Sequence, residues 1–352
     1  MDRKKLDELR ARYPADRPDA SHHPEFRKAI EAVFAGTDRR PKPYEGVTSL
    51  LGAPLRLDAL QHDGGLGGLD VALVGVPLDL GVTNRPGARF GPRAVRAVER
   101  IGPYHHVHRM VPLTAVKAAD IGDVPFRSRY NLDASVEDIE ALFAKVAAAG
   151  VTPLAVGGDH SITYPILKAL GAKQPLGLVH IDAHCDTGPP FEGAKFHHGG
   201  PFRNAVLAGV LDPERTIQIG IRGGAEYLWE FSYVSGMTVI HAEEMARQGV
   251  AKVVEKIHAV VGDGPAYLSF DIDSLDPAFA PGTGTPEIGG VTTREALELV
   301  RGCAGLNLIG GDVVEVAPQY DATTNTAQAA AQMLFELLAV VALARAPERL
   351  RK

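Results

Sequence analysis

The chain is 352 residues long, with 45% hydrophobic and 23% charged residues, a balance that can bury a sizeable core and excludes fibrous and disordered classes. A net charge of −6, with Lys and Arg scattered along the chain, offers no basic field for a nucleic-acid backbone and excludes a polyanionic partner. Two cysteines, Cys185 and Cys303, are too few for a disulfide framework, the N-terminus is charged from its second residue, and the longest apolar run, 333–344, is short and contains Glu336. A cytoplasmic protein with no membrane partner is therefore expected.

Residues 1–66 are polar and rich in Pro, Arg and Asp, and lead through the Gly-rich stretch HDGGLGGLD into the main domain; a short helix is predicted near 24–34. From Asp70 short apolar, β-branched runs alternate with segments of helical periodicity. In chain order these predict a strand at 71–77, a helix at 91–100, a strand at 116–121, a helix at 136–149, a strand at 152–156, a helix at 162–170, a strand at 176–182 and a helix at 201–208. Strands at 216–221 and 237–241 follow, then a helix at 251–261, a strand at 266–271, a helix at 293–303, a strand at 306–314 and a closing helix at 327–344. Several strands are apolar on both faces, which belongs to a parallel sheet covered on both sides. The expected fold is α/β, a three-layer α/β/α domain with a mainly parallel central sheet, formed by residues 67–352 behind an N-terminal extension, 1–66.

In open α/β sheets chemistry lies beyond the carboxyl ends of the strands. Three such ends carry potential metal ligands: Gly157-Gly158-Asp159-His160-Ser161, His180-Ile181-Asp182-Ala183-His184-Cys185-Asp186 and Ser269-Phe270-Asp271-Ile272-Asp273. Residues two apart on an extended chain share a face, so Asp182, His184 and Asp186 converge if strand geometry persists, as do Asp271 and Asp273. A lone D-x-D is usually a solvated turn, but carboxylates crowded at three successive strand ends repel one another unless cations compensate. Four aspartates balance two divalent ions, and neutral imidazoles complete the shells without adding charge.

With these motifs the sequence resembles the ureohydrolase family of arginases, agmatinases and guanidino-acid hydrolases. The resemblance rests on GGDHS, DAHCD and SFDIDSLDP in that order, together with GARFGPRAVR, HHGGPFR, PGTGTPEIGG and VVEVAP, and it covers the chain from about residue 70 onward. It implies an arginase-like fold and a binuclear centre in which Asp182 and Asp271 bridge two ions, His160 and Asp186 complete one shell and His184 and Asp273 the other. The ions it implies are two Mn²⁺, or Ni²⁺ as in members that act on small guanidines. Two close divalent ions ionise a water near neutral pH, and that water attacks a guanidino carbon to release urea and an amine. Glu315 corresponds to a guanidinium-binding carboxylate, His198 to a proton shuttle for the departing amine and His197 to a neighbouring substrate contact. Asp276 matches a supporting residue or a turn cap.

The stretch after Asp186 lacks the Asn- or Ser-rich run of arginases, so the resemblance points to the agmatinase and guanidinobutyrase branch. Arg85, Arg129 and Arg222 are candidate partners for a carboxylate tail, and Glu192 for a cationic one. The alternatives are a Ni-dependent hydrolase of guanidine, N-alkylguanidines or a biguanide, and a non-catalytic ureohydrolase-like subunit; related deacetylases keep fewer of the aspartates. A homo-oligomer, trimer or hexamer, is implied by resemblance.

Overall fold

Val71–Val76 forms strand β1, and its side chains alternate between two separate apolar clusters: Val71 and Leu73 enter one, Ala72, Val74 and Val76 the other. The same alternation continues in Thr152–Gly157 (β3), Leu176–Ile181 (β4) and Ala266–Asp271 (β7), which is why these runs read as continuously apolar. With Ala118–Asp123 (β2), Leu211–Ile221 (β5), Thr238–His241 (β6) and Leu308–Val314 (β8) they form one sheet in the order β2-β1-β3-β8-β7-β4-β5-β6, every pair parallel. This computed structural model describes residues 2–14, 27, 44–62, 64–98 and 101–345. The helix expected at 24–34 lies, apart from Arg27, outside the described residues.

Arg3–Arg12 forms α1, capped by the Asp2 carboxylate on the Lys4 N–H, and it buries none of its residues. Gly91–Arg96 (α2) and Pro112–Ala115 (α3) contribute to the first cluster, and Leu132–Ala148 (α4), Thr163–Leu170 (α5) and Pro201–Leu207 (α6) cover the second face. Glu230–Ser235 (α7) and Ala242–Gln248 (α8) flank β6. Val250–Val261 (α9), Thr293–Gly302 (α10) and Asn325–Arg345 (α11) complete the first layer. The architecture is the expected three-layer α/β/α sandwich.

Helix α10 begins with a capping box: the Thr292 hydroxyl accepts from the Glu295 N–H while the Glu295 carboxylate accepts from the Thr292 N–H. Helix α11 is longer than the apolar run of the sequence and would span a bilayer by length and composition, yet most of it is buried in the fold against α10 and β8. Its Glu336 is 1% exposed and fully engaged: Arg301 donates to both oxygens at 2.9 and 2.7 Å, and His105 Nε2 and Gln332 Nε2 lie at 2.6 and 2.9 Å. A buried charge held by an Arg fork explains how this helix carries an acid through the core.

Candidate metal centre

The four central strands, β3, β8, β7 and β4, are consecutive in the sheet, and every motif that carried potential ligands leaves from one of their carboxyl ends. After β3 the chain turns sharply at Gly158, where a Cβ would lie 2.2 Å from the Leu78 carbonyl oxygen, so only glycine allows this approach. Asp159 then caps the short 3₁₀ turn His160–Ile162 and accepts from the Gly81 N–H at 2.9 Å, and His160 is delivered into the buried interior beneath the strand ends.

His160 Nδ1 has no hydrogen-bond partner although it is buried, and carboxylate oxygens of Asp182, Asp186 and Asp271 stand 3.1, 3.0 and 3.1 Å from it. The opposite ring nitrogen, Nε2, lies 2.8 Å from Ser269 Oγ, and that hydroxyl donates to Asp312 Oδ1 at 2.6 Å. Ser269 therefore accepts from Nε2–H, which leaves Nδ1 as a lone pair facing three carboxylates. Such an arrangement calls for positive charge at its centre, and the donor set of one imidazole and three carboxylates suits a divalent cation.

A second group lies alongside. His184 Nδ1 is 3.2 Å from Asp273 Oδ2 and 3.5 Å from Asp182 Oδ1, so the two oxygens of Asp182 face the two histidines and can serve two ions. His160, Asp182, His184, Asp186, Asp271 and Asp273 are thus brought together in one cluster. They do not arrive by strand alternation as expected. Strand β4 ends at Ile181, and Asp186 sits in the left-handed region with φ 51°, which turns its carboxylate back toward His160 while His184 faces Asp273. Likewise Asp271 caps a 3₁₀ turn and accepts from the Asp273 N–H at 2.8 Å.

Left to protons alone, the cluster gathers positive charge. Burial, then Asp273 and Asp182, push the Asp271 carboxyl well above the usual range. Burial opposes charge on His160, but the facing carboxylates of Asp182, Asp186 and Asp271 raise it well above its ordinary value, and Asp273 and Asp182 do the same for His184 against burial. Asp182 is held well below its ordinary value, because His180, His160 and His184 outweigh its burial. The side chains fit a pair of divalent cations.

His180, which also comes close to His160 and Asp182, has both nitrogens engaged: Nε2 lies 2.7 Å from Asp182 Oδ2, and Nδ1 accepts from Gln218 Nε2 at 3.0 Å. It orients Asp182 rather than offering a free ligand atom.

Glu315 follows β8 with a left-handed φ of 64°, a conformation costly for a residue with a Cβ and typical of sites where direction matters. Its Oε1 accepts from the His160 N–H at 2.8 Å and faces His198 Nδ1 at 2.9 Å, while Oε2 is buried without a partner. His198 Nε2 lies 3.1 Å from the Thr83 N–H and 2.7 Å from the Thr83 hydroxyl. Burial works against charge on His198, but Glu315 prevails and its pKa rises to about 9. His197 Nε2 donates to the Pro189 carbonyl at 2.9 Å, which ties the loop after Asp186 together, and its Nδ1 is buried and unpartnered. Asp276 accepts N–H bonds from Ala278, Gly289 and Gly290 and so staples a loop; its role is the turn cap.

A cavity of about 680 Å³ opens over the cluster, and its lining includes Asp271, Asp273, His184 and His198 together with Trp229 and Phe231. The cationic residues proposed for a tail point elsewhere. Arg85 donates to the Thr283 and Gly284 carbonyls and stacks on Tyr320. Arg129 is exposed beside Tyr130, and Arg222 is spent on the carbonyls of Gly220, Asp273, Ser274, Leu275 and Glu287, where it clamps the Asp273 turn. Glu192 is exposed and does not line the cavity.

The Arginase family model matches residues 69–340, the whole segment that builds this sheet and cluster. The chain belongs to the arginase family. As a member it hydrolyses carbon–nitrogen bonds in linear amidines, acting on guanidino compounds. Among relatives of this arginase-family chain, the guanidinopropionase of Pseudomonas aeruginosa is 51% identical over 278 residues, covering 78% of this chain and 87% of its own length. A mitochondrial agmatinase of Gallus gallus is 48% identical over 304 residues, covering 84% and 86%. The solved structure of proclavaminate amidino hydrolase from Streptomyces clavuligerus superposes with a TM-score of 0.81 at 35% identity, covering 86% of this chain and all of that one.

Sequence reasoning missed the supporting residues His180, Gln218, Ser269, Asp312 and Thr83. A signal existed for some. His180 precedes Asp182 by two, and Ser269 and Asp312 are polar residues inside otherwise apolar strands, where burial without a partner is costly.

Proposed function

We propose that this arginase-family chain hydrolyses a tailed guanidino compound to urea and an amine, with two divalent ions, Mn²⁺ by preference, held by His160, Asp182, His184, Asp186, Asp271 and Asp273. The observation that carries the reading is the lone pair of His160 Nδ1, buried and faced by three carboxylates at 3.0 to 3.1 Å. When bound, such a pair of ions supplies Lewis acidity and ionises a water near neutral pH.

The chain's own residues supply the rest. Glu315 Oε2 is the free acceptor for a guanidinium N–H, and because Oε1 is pinned by the His160 N–H and His198, the carboxylate plane is set before substrate arrives. His198 holds a proton at Nδ1 against Glu315 Oε1 while its Nε2 accepts from the Thr83 N–H, and because it lines the cavity it can pass that proton to the departing amine. His197, through its unpartnered Nδ1, offers a further acceptor next to the substrate. Trp229 and Phe231 keep water from their part of the cavity.

Guanidine itself would fill a small part of about 680 Å³, which favours a tailed substrate over the Ni-dependent hydrolysis of guanidine or N-alkylguanidines. The presence of all six candidate ligands favours a catalytic chain over a silent subunit. The same reading keeps a homo-oligomer, trimer or hexamer, supported by family resemblance, and a reducing compartment such as the cytoplasm, supported by two free, buried cysteines. The test is urea release by Mn²⁺-loaded and Ni²⁺-loaded protein from agmatine, 3-guanidinopropionate, 4-guanidinobutyrate, arginine, guanidine and N,N-dimethylguanidine, with guanylurea scored from a biguanide. A tailed substrate turned over best with Mn²⁺ supports the reading; guanidine or an alkylguanidine turned over best with Ni²⁺ replaces it, and no turnover by either form removes it.

A further inference from the structure

Resting on the hydrolase reading above, we infer that Arg203 recognises the far end of the substrate and that this end is a carboxylate, so that the enzyme selects guanidino acids over amine-terminated guanidines. Among the described residues Arg203 is the sole Lys or Arg that lines the cavity over the cluster. It is half-buried, its guanidinium lies 5.0 Å from the centroid of the Phe231 ring, and among the described residues it makes no hydrogen bond or ion pair. A guanidinium partly out of water with its donors unspent seeks a planar anion, and stacking on an aromatic face leaves its N–H edge free for a bidentate grip.

The placement of Arg203 is fixed by its neighbour. Phe202 packs edge-on against His160 at 5.2 Å and against His180 at 4.2 Å, and its N–H donates to the Asp186 carbonyl at 3.2 Å. Helix α6 is thereby pinned to the cluster, and the separation between the guanidino-binding site and the Arg203 head is set by packed groups rather than by a free loop. The opposing signal is weak. Glu230, the one acid of the lining outside the cluster among the described residues, is exposed, so water screens it.

The experiment compares wild type, Arg203→Met and Arg203→Lys, each loaded with Mn²⁺, on 4-guanidinobutyrate, 3-guanidinopropionate, agmatine and the neutral N-propylguanidine. Calorimetric binding of 4-guanidinobutyrate and N-propylguanidine is measured beside turnover. The wild type is expected to prefer a guanidino acid to both agmatine and propylguanidine, and Arg203→Met to lower the acid-to-propylguanidine ratio of kcat/KM roughly 10- to 100-fold, mostly through KM, with partial recovery in Arg203→Lys. A wild type that prefers agmatine or propylguanidine, or an Arg203→Met variant that loses the charged and neutral substrates equally, overturns the assignment. Should no compound be turned over, the hydrolase reading fails on its own; calorimetry then still decides Arg203, which stands if the acid binds in an Arg203-dependent way and falls if it does not.

Discussion

Ser269 Oγ stands 2.8 Å from His160 Nε2, on the far side of the ring from the three carboxylates that face Nδ1. This hydroxyl fixes which nitrogen of His160 is the lone pair, and it is fixed in turn by Asp312, which also accepts from Thr163 and Tyr267. Removing it frees the ring to rotate or change tautomer. Ser269→Ala and Asp312→Asn are each expected to weaken Mn²⁺ binding about 10- to 100-fold, measured by calorimetric titration of the metal-free protein, with the fold intact by circular dichroism. Unchanged affinity in both variants would refute the relay.

Asp182 faces both histidines, so its loss is expected to affect both of the proposed ions. Asp182→Asn is expected to lose bound metal and urea release together, while a chelator applied to wild type abolishes activity that returns on adding Mn²⁺. An Asp182→Asn protein that retained a full metal complement would contradict the bridging placement.

For Glu315, whose Oε2 is buried and unpartnered, Glu315→Gln keeps shape and removes charge. The expected outcome is a fall in kcat/KM of about 10²-fold with metal content unchanged, read by steady-state kinetics and metal analysis in parallel.

Glu336, midway along α11, links that helix to Arg301 in the last turn of α10 and to His105. Its burial acts to raise its pKa, but His105 and Arg301 win and lower it from 4.5 to about 2. A folded value below the unfolded one means the carboxylate stabilises the fold fully above about pH 4.5, and that this contribution falls as pH drops toward 2. The amount at neutral pH is on the order of 3 kcal/mol. In metal-free protein the stability gap between wild type and Glu336→Gln, measured by chemical unfolding, is expected to be large at pH 6 and to shrink toward pH 2.

The strands were legible because both faces of β1, β3, β4 and β7 are buried, which leaves an uninterrupted apolar run in the sequence. The start of β5 was not: the sequence predicts a strand only from 216, whereas it begins at Leu211 and runs through the polar and Pro residues Asp212, Pro213, Glu214 and Arg215, which carry no apolar signal. Helices α7 and α8 are short and largely exposed, with little apolar periodicity to betray them. At the site, motif spacing identified six residues that the fold brings together, but the reason offered, strand alternation, does not hold, since Asp186 turns inward through a left-handed φ. Arg203 stayed hidden because nothing in PFR marks an arginine that meets no acid among the described residues; the role proposed for it depends on its surroundings in three dimensions.

The most direct test of the central claim is a titration of metal-free enzyme with Mn²⁺, following urea release from 4-guanidinobutyrate or agmatine against equivalents added. A shared centre built on Asp182 and Asp271 predicts that activity rises to a plateau at two ions per chain. A plateau at one ion, or turnover that needs none, would contradict it.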